Sequence, residues 1–112
     1  MYGLSEKEFD EMTAIFDKCA NLEKVILYGS RAKGNYKKFS DVDITLEGDK
    51  LTLSDLFHIQ DLLYESDLPY MYDVSIFAKI SNPDLIDHIR RRGIVIWERG
   101  VSSNKTSSSS TM

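Results

Sequence analysis

Residues 29–43 of the chain read GSRAKGNYKKFSDVD. A glycine-serine pair follows the apolar run Val-Ile-Leu-Tyr at 25–28, which is typical of a buried strand that ends in a turn. Because Gly29 has no Cβ, the backbone can turn sharply there and a bound group can come close to it. Ten residues separate the serine from an Asp-Val-Asp sequence that opens a second strand. The stretch therefore predicts a donor-rich turn that faces a pair of acids.

The charged and polar groups of this stretch divide between the turn and the second strand. Ser30 offers a hydroxyl and a backbone N–H, and Arg31 and Lys33 add positive charge, so all three are candidate phosphate contacts. The period of two along a strand puts Asp41 and Asp43 on one face and apolar residues on the other. Two carboxylates so close repel each other unless a cation or a proton lies between them, and magnesium prefers carboxylate oxygens. The pattern can hold a metal-bound triphosphate.

A third acid lies in the strand pattern YMYDVSIF at residues 70–77. The apolar residues at alternate positions of this strand lie on the face opposite Asp73. If this strand neighbours the one that carries Asp41 and Asp43, all three carboxylates lie on the same side of the sheet. Three carboxylates can hold two metal ions and still leave an oxygen to accept a proton from an attacking hydroxyl.

The order Gly-Ser, ten residues, Asp-x-Asp and then a single strand aspartate resembles the DNA polymerase β-like nucleotidyltransferase superfamily. The form GSRAKG…SDVD looks most like its minimal stand-alone bacterial members, which serve as antitoxins in HEPN/MNT toxin–antitoxin pairs. The likeness covers residues 20–98 and is much more specific than a lone glycine-rich loop. It implies that Gly29 and Ser30 hold the triphosphate, that Asp41 and Asp43 bind magnesium, and that Asp73 is the third carboxylate of a site expected to hold two Mg²⁺ ions.

By this resemblance the chain is expected to transfer a nucleoside monophosphate, AMP from ATP, to a hydroxyl group with release of pyrophosphate. The expected acceptor is a tyrosine of a small all-helical HEPN-type protein from a neighbouring gene, which the chain would neutralise. One alternative is an interaction protein that keeps the nucleotide-binding core and neutralises its partner by binding alone. Another is transfer to a small molecule such as an aminoglycoside. The three acids favour the first hypothesis, because a pure binding module has no need of Asp73.

Helix signals complete the predicted order α-β-β-α-β-α-β. Ser5 to Glu8 form a capping box that opens an amphipathic helix over residues 6–20. Ser54-Asp55 is expected to cap a helix over residues 54–66. Asn82 followed by a proline opens another helix, which ends at a glycine before a last strand at 94–97. The expected fold is α/β (α+β), a two-layer nucleotidyltransferase core with a mixed β-sheet of about four strands and helices packed on one face.

Composition limits the remaining possibilities. A chain of 112 residues with 42% hydrophobic content is one domain, taken as residues 1–100, and the Ser/Thr-rich residues 101–112 are expected to be a disordered tail. The formal charge of −4 argues against general nucleic-acid binding. With no signal peptide and no apolar run near eighteen residues, a cytoplasmic protein without a membrane span is expected.

Three further features have ordinary explanations. The single cysteine, Cys19, lies in a helical apolar pattern and is expected to be a small buried side chain, so neither a disulfide nor a cysteine zinc site is available. His58 is expected to face solvent or to be hydrogen-bonded rather than to bind a metal. The cations at 90–92 fall in the last turn of a predicted helix, where they complement the helix dipole.

Overall fold

The computed structural model describes residues 2–34 and 41–100. Four strands alternate with helices along the chain: α1 (Glu6–Asp17), β1 (Lys24–Tyr28), α2 (Ser30–Lys33), β2 (Val42–Glu47), α3 (Leu53–Glu65), β3 (Tyr72–Ile76), α4 (Pro83–Arg92) and β4 (Ile94–Glu98). The predicted order is confirmed, and α2 is an additional one-turn helix inside the predicted turn. The expectations for residues 35–40 and for the tail at 101–112 lie outside the described residues.

The strands form one mixed sheet in the order β3-β2-β1-β4. β1 runs antiparallel to both β2 and β4, whereas β2 and β3 are parallel. A parallel pair needs a long crossover connection, and α3 supplies it. The mixed four-stranded sheet agrees with the prediction.

The helix ends follow capping chemistry, with one start and one end displaced from the prediction. Ser5 Oγ accepts the Glu8 N–H at 3.1 Å, and Glu8 Oε1 accepts the Ser5 N–H at 2.9 Å, as the capping box predicted. α1 nevertheless ends at Asp17, short of the predicted residue 20. α3 is capped by Thr52 rather than by Ser54, because Thr52 and Asp55 form a capping box of their own.

The helices do not all pack on one face of the sheet, which corrects the prediction for α4. In β1, Val25 and Leu27 belong to the large core cluster beneath α1 and α3. Ile26 and Tyr28 point the other way and pack against Ile89 of α4. The physical reason is that β1 is a central strand with apolar residues at successive positions, so both of its faces need cover.

Across residues 2–34 and 41–100, none of the helices is both long and apolar enough to cross a membrane.

Candidate functional site

Asp43 and Asp73 lie side by side on neighbouring strands. They are register partners in the parallel β2–β3 pair, and Tyr28 is the partner of Asp43 on the β1 side. Neighbouring strands lie about 4.8 Å apart, so Tyr28, Asp43 and Asp73 form one row across three strands. The two acid-bearing strands are therefore neighbours, which is the condition that the sequence analysis set. Asp41 is exposed and comes directly before β2 rather than inside it.

The pleat of β2 places the side chain of Asp43 on the face of the sheet opposite the main core. Val42, Ile44 and Leu46 are fully buried under α1 and α3, whereas Asp43 is half-buried on the opposite face. Asp73 is exposed in the same register of β3. Burial on one face thus fixes the register, and the register brings the two carboxylates together.

The electrostatic environment of Asp43 opposes its ionisation. Partial burial raises the pKa of this carboxyl most, and the negative charges of Asp73 and Asp41 raise it further. Arg31 lowers the same pKa, by a smaller effect. The folded protein therefore carries an unfavourable concentration of negative charge at this point, which a cation would relieve.

Asp43→Asn is expected to stabilise the protein at pH 7 in the absence of divalent metal. A folded-state pKa above the ordinary 3.8 means that the folded state holds this proton more tightly than the unfolded chain does. Ionisation of Asp43 therefore destabilises the fold as the pH rises above that value, and the amide removes this cost. The advantage of the variant should shrink as the pH falls towards 3.8. Denaturant unfolding with a chelator, between pH 3.5 and pH 7, measures it.

Asp61→Asn is the matched control, because Asp61 is an exposed carboxylate on α3 outside the acid row. If Asp43→Asn is less stable than the wild type at pH 7, or if Asp61→Asn gives an equal gain, the unfavourable ionisation of Asp43 in its half-buried place beside Asp73 and Asp41 is not the cause.

The Gly29 turn lies against the carboxylate of Asp43. Gly29 has φ 78° and ψ −153°, a conformation that is almost confined to glycine. A Cβ placed on Gly29 would lie 2.3 Å from Asp43 Oδ2. Ser30 is half-buried at the start of α2, and Lys33 is exposed at its end. The structure thus brings the turn and the first strand acid together, with Lys33 open to a bound anion.

Arg31 does not have the environment that the prediction gave it. Its side chain is only 1% exposed, and its Nη1 donates a hydrogen bond of 2.9 Å to the carbonyl oxygen of Tyr2. Its guanidinium carbon lies 4.8 Å from the centre of the Tyr70 ring. The guanidinium is therefore held inside the fold, whereas the predicted phosphate contact needs it at the surface of the turn.

Sequence reasoning missed Tyr28 and the hydroxyl pair Thr45 and Ser75. Ser75 Oγ donates to Thr45 Oγ1 at 2.9 Å, two residues along each strand from the acid row. Burial and the charges of Asp73 and Asp43 raise the pKa of Tyr28, and a hydrogen bond with Ser75 lowers it. Tyr28 is therefore a neutral phenol beside the acids at neutral pH. Its place follows from the β1–β2 register, which the sequence did not supply.

Asp43 and Asp73 lie on one side of the sheet but do not form a complete metal site by themselves. In the part of the chain that the structure describes, no three carboxylate, imidazole or thiol side chains form a group that could hold a metal ion. The adjacency of Asp43 and Asp73, the raised pKa and the close Gly29 turn still fit a divalent cation bound together with a polyanion.

The description of the family model that matches the chain is Polymerase beta, Nucleotidyltransferase, and the match covers residues 10–101. A probable protein adenylyltransferase MntA from Haemophilus influenzae is 34% identical over 73 residues, which make up 64% of this chain and 63% of that protein. The alignment thus spans less than two thirds of the relative's own length.

Solved structures share the fold. A crystal structure of a toxin–antitoxin with AMP-PNP has a TM-score of 0.67 at 20% identity, over 82% of this chain and 74% of that chain. A crystal structure of the toxin–antitoxin MntA-HepT has a TM-score of 0.61 at 18% identity, over 84% of this chain and 73% of the other. The predicted fold class is confirmed by this likeness.

Proposed function

Since the chain belongs to the polymerase beta nucleotidyltransferase family, we propose that it transfers the AMP group of ATP to a hydroxyl on a partner protein. The observation that carries this proposal is the β2–β3 register, which sets Asp43 beside Asp73 next to the Gly29 turn. A glycine turn allows close approach of the phosphates, and a row of carboxylates can bind the metal ion. A metal–nucleotide site needs both.

The turn would bind the triphosphate. Gly29 lets the backbone approach the phosphates closely, and the hydroxyl and N–H of Ser30 can donate hydrogen bonds to their oxygens. Lys33, exposed at the end of α2, adds a mobile positive charge. Arg31 is left out of this set because it is buried.

Asp41, Asp43 and Asp73 would hold Mg²⁺. The exposed side chains of Asp41 and Asp73 can change rotamer freely, so they can converge on a cation beside Asp43. When bound, magnesium neutralises charge on the triphosphate and on the departing pyrophosphate. The raised pKa of Asp43 supports the fit, since a cation would favour the ionised form.

Asp73 would accept the proton of the acceptor hydroxyl. The hydroxyl oxygen forms a bond to the α-phosphorus, and the bond from that phosphorus to the α–β bridging oxygen breaks. Pyrophosphate leaves with the electron pair, and the hydroxyl proton passes to a carboxylate oxygen of Asp73. Its exposure on β3 supports this role, because the acceptor must reach the acid from outside.

The acceptor that we propose is a tyrosine of a small all-helical HEPN-type protein, with the chain acting as its antitoxin. The Haemophilus influenzae relative is named a probable protein adenylyltransferase, and MntA occurs together with HepT in a solved toxin–antitoxin structure. Neutralisation by binding alone and transfer to a small molecule become outcomes of the test.

The test uses ATP labelled at either the α- or the γ-phosphate, with the co-purified product of an adjacent gene. We expect label on the partner from α-labelled ATP only, and none after a chelator removes the metal. Label from γ-labelled ATP would indicate phosphoryl transfer instead. No label from either, with the partner still neutralised, would leave the binding module as the function.

A further inference from the structure

Arg31 joins segments that are distant along the chain. Its Nη1 donates to the Tyr2 carbonyl oxygen at 2.9 Å, and its guanidinium carbon stands 4.8 Å from the centre of the Tyr70 ring. The Tyr70 hydroxyl donates in turn to Glu8 Oε1 at 3.0 Å. Glu8 belongs to the capping box of α1. A chain of contacts therefore leads from the short helix after the turn to the N-terminus of α1.

These contacts connect two strands that do not touch. Arg31 lies on α2, directly after β1 and the Gly29 turn, whereas Tyr70 lies two residues before β3, which carries Asp73. β2 separates β1 from β3 in the sheet. The Arg31–Tyr70 contact is thus a side-chain bridge between the Gly29 turn and β3, the strand that carries Asp73. The turn and the start of β3 lie at the same end of the sheet.

The chemistry of this bridge suits arginine. A guanidinium packs on an aromatic face while its N–H groups donate in its plane, and it is more weakly hydrated than an ammonium. Burial of such a cation is costly unless it is hydrogen-bonded, so a fold that buries Arg31 to 1% exposure holds it in a defined place. A lysine in its place would keep the charge and lose the stacked, forked geometry.

We propose that Arg31 is a positioning residue, which fixes the Gly29 turn relative to Asp73 and does not contact the phosphates. This inference rests on the proposed function, because the distance it sets is the one between bound triphosphate and proton acceptor. A displacement of about 1 Å between reacting groups lowers a rate by about a hundredfold. The backbone donors that bind the triphosphate would survive such a displacement.

The test compares Arg31→Met, Tyr70→Leu and the double variant in AMP transfer and in calorimetric binding of ATP with magnesium. Each single change should lower kcat by about tenfold or more while Kd for the nucleotide changes by less than about threefold. Because both changes break one bridge, the double variant should be no slower than the slower single variant. Tyr70→Phe keeps the ring under the guanidinium and should stay within about threefold of the wild-type kcat.

A direct phosphate contact gives a different pattern. Arg31→Met would then weaken nucleotide binding by about tenfold or more, Tyr70→Leu would leave kcat unchanged, and the two effects would add, which overturns the proposal. If Arg31→Met does not fold, an unchanged kcat in Tyr70→Leu is enough to overturn it, and a tenfold fall supports it.

Failure of the proposed function is separable from failure of the bridge. A wild type that transfers nothing contradicts the proposed function. Denaturant unfolding of the wild type, Arg31→Met, Tyr70→Leu and the double variant then tests the bridge by itself. Non-additive changes in the free energy of unfolding support it, and additive changes overturn it.

Discussion

Asp73→Asn is expected to lower the rate of AMP transfer by about a hundredfold or more, because the amide cannot accept the acceptor's proton. Asp73 is exposed, so the near-isosteric change should leave the fold intact. Nucleotide affinity should fall by less than about tenfold, since Gly29, Ser30 and the acids on or beside β2 would still bind the triphosphate and its metal. Single-turnover transfer from α-labelled ATP measures the rate, and calorimetry measures the affinity.

The control for this variant is again Asp61→Asn, which removes one exposed carboxylate from α3 and should retain the wild-type rate. Retention of more than a tenth of the rate by Asp73→Asn would show that another group takes the proton. An equal loss in rate and affinity would show that Asp73 serves binding only.

Gly29→Ala is expected to have the other large effect, about a hundredfold on transfer. The new Cβ would lie 2.3 Å from Asp43 Oδ2, so the carboxylate must shift from its present position. The backbone conformation, with φ 78° and ψ −153°, adds a strain of about 1–3 kcal/mol for any residue with a side chain. Transfer kinetics and denaturant unfolding separate the two consequences.

Gly34→Ala provides the matched comparison for backbone strain. Gly34 also has a positive φ, of 85°, but among the residues that the structure describes a Cβ there would meet nothing within 4 Å. It should therefore lose stability without a comparable loss of transfer, a fall of less than about tenfold. If both alanines lowered transfer equally, the displacement of Asp43 would not be the cause of the Gly29 effect.

Much of the fold could be predicted because its signals are local. The capping box at Ser5 and Glu8, the asparagine cap at Asn82 and the proline after it each act within one helical turn, and the structure has all of them. The predicted start of α3 differs from the observed one because Ser54-Asp55 also has the composition of a helix cap. The box that forms uses Thr52, with an aspartate in the place usually taken by glutamate.

The pairing of Asp43 with Asp73 could be predicted conditionally. The alternation of side chains along a strand predicted the face on which each acid lies. The only further assumption was that the strands of Asp43 and Asp73 are neighbours. The side of the sheet taken by α4 could not be predicted, because a central strand such as β1 offers two apolar faces and periodicity does not choose between them.

The environment of Arg31 could not be predicted for a different reason. Its partners, Tyr2 and Tyr70, are distant in sequence. Without knowledge of the packing, a cation in a turn near acids is predicted to be a phosphate contact. Tyr70 is likewise half-buried and hydrogen-bonded to Glu8, which is also distant from it in sequence. Long-range packing decides both.

We propose that this chain modifies a partner protein with AMP. Intact-mass spectrometry of the adjacent gene's product, after incubation with the chain, ATP and magnesium, tests it most directly. We expect a partner heavier by one or more AMP groups with the wild type, and an unmodified partner with Asp73→Asn. An unmodified partner in the wild-type reaction, in a complex that is already neutralised, would contradict it.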